Sequence, residues 1–419
     1  MTRKRYFLIG CMLLIPISMA LAQSPFYNAR EMGMAGAYGA VAHGADAVNW
    51  NPANLGLVLT SGFTLQMPGM GMRVLNTSFG LADYNRYNGA VLAQEEKAEI
   101  LSKIPDDGLK LVGNGGGMLL GVSISRLALA LRLRGLSDMV ISRDFFELIL
   151  NGNELGREYD FSQTAGSGWA MADVSISYGQ AFYVPYLNDF AVGVSLHWLK
   201  GLGMAEIVES RGRVLSDFEG LSGDGFAKLR TASGGNGFSI DIGLAGITKN
   251  NVIISLAVHN LASHIRWDQE VQIYEYGIRT DSLTVEALVN EDSDSLITDL
   301  QEDYPGEAFS AYLPLELKFG AAYAFSDWLL SGQLIQALQK APGINRVPYV
   351  ALGAEWRRLS FLPLRFGLAF GGTHRFSTSL GFSLKIGPFC SNFAFQTINQ
   401  LLPSRGTGYG LAMDISLGL

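Results

Sequence analysis

Five histidines, a scatter of carboxylates and a few glycine-rich stretches are the residues of this chain with the chemistry for catalysis or metal binding. His259 and His264 lie nearest one another. Their spacing spans a strand end and brings no cysteine or carboxylate companion, so no metal site is expected there. Gly113-Asn114-Gly115-Gly116-Gly117 has the composition of a phosphate cradle, but no helix pattern follows it, and a turn between strands is the expected reading. Asp281 to Glu307 gathers nine acidic residues and no Lys or Arg. Divalent-cation bridging to lipopolysaccharide is one reading of that segment. Asp292-Ser293-Asp294 lacks the further ligands and the glycine of a calcium loop, so a solvated loop is preferred. The patterns G-x-S-x-G, H-E-x-x-H, C-x-x-C and the P-loop are absent. The expectation is no enzyme, no cofactor and no metal.

Composition points to a different class of protein. Of 419 residues only 16% are charged, 48% are hydrophobic and 50 are Gly, which suits β structure with many turns. Arg3-Lys4-Arg5, an apolar run from Phe7 to Leu21 and Ala20-Leu21-Ala22 before Gln23 make a secretory signal over residues 1–22. Leu8-Ile9-Gly10-Cys11 also fits a lipoprotein cleavage box, but cleavage there would strand Met12–Leu21 on the mature chain. With Cys11 removed, Cys390 has no partner for an internal disulfide. Losing the three basic residues makes the remainder more acidic than the −7 of the whole chain, which argues against nucleic acid as a partner.

Strict two-residue alternation then recurs to the last residue. Phe190, Val192, Val194, Leu196 and Trp198 share one face, with Ala191, Gly193, Ser195 and His197 on the other. Phe238–Ala245, Leu364–Phe370, Phe376–Ile386 and Leu411–Leu419 repeat the pattern, as do residues 118–134, 172–178, 251–259, 317–325 and 349–356. Such a pattern makes β-strands with one apolar face. Either that face points inward, in a soluble sandwich, or it points outward to lipid, in a barrel. Strands of about 9–12 residues are long enough to cross a bilayer when tilted. Their second face is small and polar, with charges of both signs at Arg132, Asp173, Asp241, Lys318, Glu355, Arg365, Lys385 and Asp414. Trp198, Trp328, Trp356 and Tyr178 near strand ends suit interfacial girdles. An all-β transmembrane antiparallel barrel of about 14 strands is expected over residues 60–419, its lumen lined by those charges. The tight turns Leu187–Asp189, Lys249–Asn251, Ser326-Asp327 and Gly371–Thr373 are all expected at one end, facing the periplasm with both termini. Ala90–Ile104 and Arg143–Leu150 have helical spacing.

Residues 28–57 fit neither strand nor long helix. Gly33, Gly36, Gly39 and Gly44 alternate with Ala ahead of Asn49-Trp50-Asn51-Pro52-Ala53-Asn54, a composition for backbone packed close to backbone in a confined space. This stretch resembles the N-terminal hatch of the long-chain fatty-acid transporter (FadL-like) superfamily of outer-membrane barrels. The resemblance rests on Arg30–Tyr38, Ala40-Val41-Ala42, Asp46-Ala47 and Trp50–Ala53. It extends to relatives in type IX secretion and to uncharacterised branches, one of which Tyr312–Gly320 is similar to. It implies a 14-stranded barrel whose lumen is plugged by residues 23–59, with Asn51, Pro52 and Ala53 holding the plug and Trp50 packing on the wall. Asn54 stands where the transporters often have Gly, and Leu419 where a terminal aromatic is usual.

Two functions follow as expectations. One is passive transport of a hydrophobic or amphipathic small molecule across the bacterial outer membrane, with lipid and lipopolysaccharide as surroundings. The alternative is a docking component of a secretion system that binds proteins and moves no solute. Mixed lumen charges predict little ion conductance.

Overall fold

The computed structural model describes residues 28–58, 62–218, 220–283, 297–339, 346–373 and 375–418. The expected signal segment, Leu419 and residues 284–296 of the acidic stretch lie outside them. The alternation closes into one antiparallel barrel of 14 strands. The first five are β1 (Phe63–Gln66 and Met70–Asn76), β2 (Leu109–Ile124), β3 (Leu127–Ile141), β4 (Ala165–Ala181) and β5 (Leu187–Asp217). Next, β6 runs over Gly220–Ala232 and Gly234–Thr248. The interrupted β7 comprises Val252–His259, His264–Gln269 and Gln272–Leu283, and β8 comprises Ile297–Pro305, Phe309–Ala311 and Glu316–Phe325. The shorter β9 (Trp328–Ala337), β10 (Tyr349–Trp356), β11 (Leu364–Gly371), β12 (Phe376–Ile386), β13 (Phe389–Ile398) and β14 (Gly408–Gly418) complete the circuit. β14 pairs with both halves of β1, Thr64 opposite Gly418 and Met72 opposite Leu411, and this seam removes every sheet edge from the barrel wall.

The apolar face points outward. Val192, Val194, Leu196 and Trp198 are exposed on β5, and Leu352, Phe366, Leu368, Leu380 and Leu411 on the later strands. The inward residues are small or polar and buried: Ser175, Ser177, Ala191, Ser195, Ala257, Ala351, Ala369, Ser377 and Ala412. The barrel is therefore apolar outside and polar inside.

Three sequence expectations change. Gly113–Gly117 is the middle of β2 and not a turn. The glycines let β2 lie against β1 where β1 is interrupted; a methyl on Gly117 would strike the Gly69 carbonyl. Gly371–Thr373 joins β11 to β12 at the end opposite the other three tight turns. Strand parity, not turn length, decides which end a turn occupies. The strands also exceed 9–12 residues on one side, where β5 reaches 31. There β5 to β8 rise as a sheet beyond the apolar band, paired through Arg213–Asp224 and Asp224–Arg279.

The end holding Phe63 and Gly418 is open to short turns. The opposite end carries α3 (Leu81–Tyr87), α4 (Gln94–Lys103) and α5 (Arg143–Asn151), α4 within its stretch of helical spacing and α5 one residue longer than its own. Glu96 caps α4 by accepting from the Ala93 N–H at 3.0 Å, and Asp83 caps α3 through the Gly80 N–H at 2.9 Å. This end is called the capped end below.

Candidate functional site

Residues 28–57 lie inside the barrel as a compact chain of short helices, α1 (Ala29–Gly33) and α2 (Ala47–Trp50), with 3₁₀ turns at Gly44–Asp46 and Pro52–Gly56. Almost every residue is buried. Ala and Gly are needed here for two separate reasons. Gly36 and Gly44 hold φ of 83° and 59°, which a side chain disfavours. Gly33 and Gly39 instead touch the wall, at Gly381 and Gln333. The wall answers in kind. A methyl on Gly193 would collide with the Pro52–Ala53 peptide, on Gly179 with Gly56, on Gly243 with the side-chain amide oxygen of Asn51, and on Gly367 with Ala35. Gly179, Gly193 and Gly243 face one another across adjacent strands, so these inward positions form a shallow seat.

Asn51 is the deepest fastening. Its Nδ2 donates to the Leu244 carbonyl at 2.8 Å, to Ser255 Oγ at 2.8 Å and to the Leu256 carbonyl at 3.3 Å. Its Oδ1 accepts from the Ala53 N–H at 2.9 Å, which turns the chain into Pro52–Gly56 with Pro52 at the first helical position. One side chain thus bridges β6 and β7 and caps its own 3₁₀ turn. Asn54 works within the plug: its Nδ2 donates to the carbonyls of Gly39 at 2.9 Å and Ala42 at 2.8 Å. Asn28 caps α1, accepting from the Glu31 N–H, and its Nδ2 reaches Asp46 at 2.9 Å. Ala29 N–H donates to Asp414 Oδ2 on β14 at 2.7 Å.

Trp50 packs edge-on against Tyr38, with centroids 6.1 Å apart, and sits under the Lys318 ammonium at 5.0 Å. Its carbonyl accepts from His259 Nε2 at 2.8 Å. Its indole N–H meets no acceptor among the described residues.

The inward charges fall into two groups. On the capped side of the plug, Arg132 binds Asp173 at 2.5 Å and Asn49 of the plug, while His197 bridges Asp173 and Asp241 at 3.1 Å each. Asp241 also holds His259 at 2.7 Å, and Lys318 pairs with Glu316 at 3.7 Å. On the other side Arg365 binds Glu355 at 2.5 Å, and Asp414 accepts from Asn392 at 2.7 Å. Lys385 joins neither group. It is exposed in the last turn of β12, beyond the plug, where the lumen meets solvent. Sequence reasoning paired His259 with His264 and expected no carboxylate beside it, and it placed His197 on the small face without a role; strand pairing instead gives both His197 and His259 the Asp241 carboxylate. They are 62 positions apart, but both stand on the small face of an alternating strand, and that was the available signal.

Toward the capped end the inward face becomes apolar. Leu136 follows Arg132 on β3, Met171 and Trp169 follow Asp173 on β4, Leu199 follows His197 on β5, and Leu313 precedes Glu316 and Lys318 on β8. With Trp267, 1% exposed, and Ile265 of β7 they form apolar clusters across the lumen. The lumen is thus layered: plug in a glycine seat, then charges, then apolar and aromatic side chains.

Comparison with known proteins places this architecture. Residues 56–232 and 215–395 match the family of unknown function DUF5723. The chain belongs to that family. None of the curated proteins compared matches it. Among solved structures, it is similar to the toluene transporter TbuX of Ralstonia pickettii, at 15% identity and a TM-score of 0.53, covering 94% of this chain and 99% of that one. It is similar to the deltaS2S3 mutant of the monoaromatic hydrocarbon channel TodX, at 11% identity and a TM-score of 0.56 with the same coverage. A FadL homologue from Pseudomonas aeruginosa matches at 12% identity and a TM-score of 0.51, over 95% and 98% of the two chains. At such identities the likeness establishes the fold: this DUF5723 member is a FadL-like barrel.

Proposed function

We propose that this DUF5723 barrel sits in a bacterial outer membrane and passes an apolar or amphipathic small molecule through its lumen. The observation that carries the reading is the apolar layer of Trp169, Met171, Leu199 and Trp267 across the lumen, on the capped side of the buried charges. A polar pore has no use for buried tryptophan there, whereas an apolar solute gains about 25 cal/mol for each Å² it removes from water. The outward apolar band supports the membrane setting, since a strand needs about 9–11 residues to cross and Phe190–Trp198 supplies that length. Termini toward the periplasm is part of the same proposal, as is a holding role for Asn51, Pro52 and Ala53. Two of the neighbours named above are a toluene transporter and a monoaromatic hydrocarbon channel, which favours passage over protein docking.

Cells lacking their own hydrocarbon and fatty-acid channels, supplied with this protein, should take up radiolabelled toluene or oleate faster than empty-vector cells. Trp267→Asp should abolish the gain while the barrel still inserts. Equal uptake with and without the protein, across aromatics, alkanes and long-chain acids, would refute the reading.

A further inference from the structure

Around Trp50 the hydrogen bonds constrain where protons reside. His259 Nε2 lies 2.8 Å from the Trp50 carbonyl and Nδ1 lies 2.7 Å from Asp241 Oδ2. A carbonyl oxygen and a carboxylate oxygen both accept, so each ring nitrogen must present a hydrogen for both contacts to be bonds. Asp241 has no slack to resolve this, because Oδ1 accepts from the Asn260 N–H at 2.8 Å and Oδ2 also faces His197 Nε2 at 3.1 Å. The His259–Asp241 pair therefore holds an extra proton. If that proton leaves, the remaining one goes to Nδ1, where a charge-assisted bond to the carboxylate is about twice as strong as one to a neutral carbonyl. Nε2 then turns a lone pair on the Trp50 oxygen. The contact that fastens the plug becomes a repulsion.

We propose that His259 and Asp241 form a proton-operated latch on the plug, closed when the pair is protonated and released when it is not. Every element packed around the pair contributes charge. β6 gives Asp241, β5 His197, β4 Asp173, β3 Arg132 and Arg134, β8 Glu316 and Lys318, and the plug Glu31 through Asn49. A residual cavity of about 20 Å³ beside His259 has room for one water through which the proton can exchange. The latch stands whatever solute the lumen carries, because it concerns the seating of the plug alone.

Hydrogen exchange of the full chain in mild detergent tests it, read on peptides covering residues 47–57 and corrected for intrinsic exchange. Between about pH 5 and about pH 9, protection of these peptides should fall about tenfold or more, the equivalent of one net hydrogen bond. In His259→Gln the amide donates to the Trp50 carbonyl at every pH, and the fall should vanish. In Asp241→Asn the amide oxygen keeps the Asn260 N–H and the amide nitrogen faces Nδ1, so the neutral ring accepts there and keeps its hydrogen on Nε2 toward Trp50, and the fall should vanish as well. A flat wild-type profile overturns the latch whether or not either variant folds. An undiminished fall in either variant overturns it equally.

Discussion

Asn51 shows how much one side chain can fasten. It donates to two strands of the wall and caps the turn that follows it, all without exposure to water. Asn51→Ala leaves the buried Leu244 carbonyl and the Ala53 N–H without these partners, which should cost about 2–4 kcal/mol. Asn51→Asp keeps the shape but replaces a donor by a carboxylate facing two carbonyls, and should cost more than the alanine variant. Denaturant unfolding in detergent ranks the three proteins; an aspartate variant as stable as wild type would refute this account. The Asn-Pro step was legible in the sequence because Pro52 and the small residues around it exclude a strand. The partners of Asn51 were not legible, since Leu244, Ser255 and Leu256 lie about 200 residues away and only strand order brings them near.

At the level of elements, the capped end offers a pH-dependent unit apart from the barrel wall. Burial alone would raise the Asp83 carboxyl, but the Lys103 ammonium at 2.6 Å and the Gly80 N–H at 2.9 Å hold it below its ordinary 3.8. The Asp83 bond in turn raises Lys103 above 10.5. A depressed carboxyl stabilises α3 and α4 fully above 3.8 and ceases to do so as the pH falls through its folded value. A raised lysine stabilises them below 10.5 and is lost above it. Hydrogen exchange over residues 81–103 should therefore show constant protection from pH 5 to pH 9 and a decline below about pH 4. Lys103→Met should flatten the acid limb; an unaltered limb would rule out this pair as its source. Helical spacing announced α4 and α5 in the sequence. The side on which each loop lies was not announced: the brevity of Gly371–Thr373 suggested the wrong end, and counting strands corrected it.

For the whole molecule, the sequence signal was the alternation of large and small residues, which carried the strands and the barrel class together. It could not say which strands would outgrow the membrane, because past about Gly201 the alternation of β5 lapses and its register shifts twice, at Gly201/Gly203 and at Ile207/Glu209, yet the strand continues through Arg213. Nor could it reveal that His197, Asp241 and His259 meet, since that needs three neighbouring strands in register. The outward band makes its own prediction. Leu368 is 42% exposed in the middle of β11. Leu368→Arg should weaken folding into bilayers by about 2–4 kcal/mol, the cost of a cation near the midplane. Leu402→Arg, in the loop between β13 and β14 at the capped end, should change little. Equal effects in a vesicle-folding titration would mean the band does not face lipid.

Asp414 lies on the last strand, at the seam where β14 meets β1. Its two oxygens are shared among Ala29 at the head of the plug, Asn392 on β13 and Gln66 on β1. The plug and the final strand thus meet at a single carboxylate. A cylinder that zipped shut around an empty bore would leave that carboxylate buried without the Ala29 amide. The hydrogen bonding of the last strand is thus complete only with the plug in place.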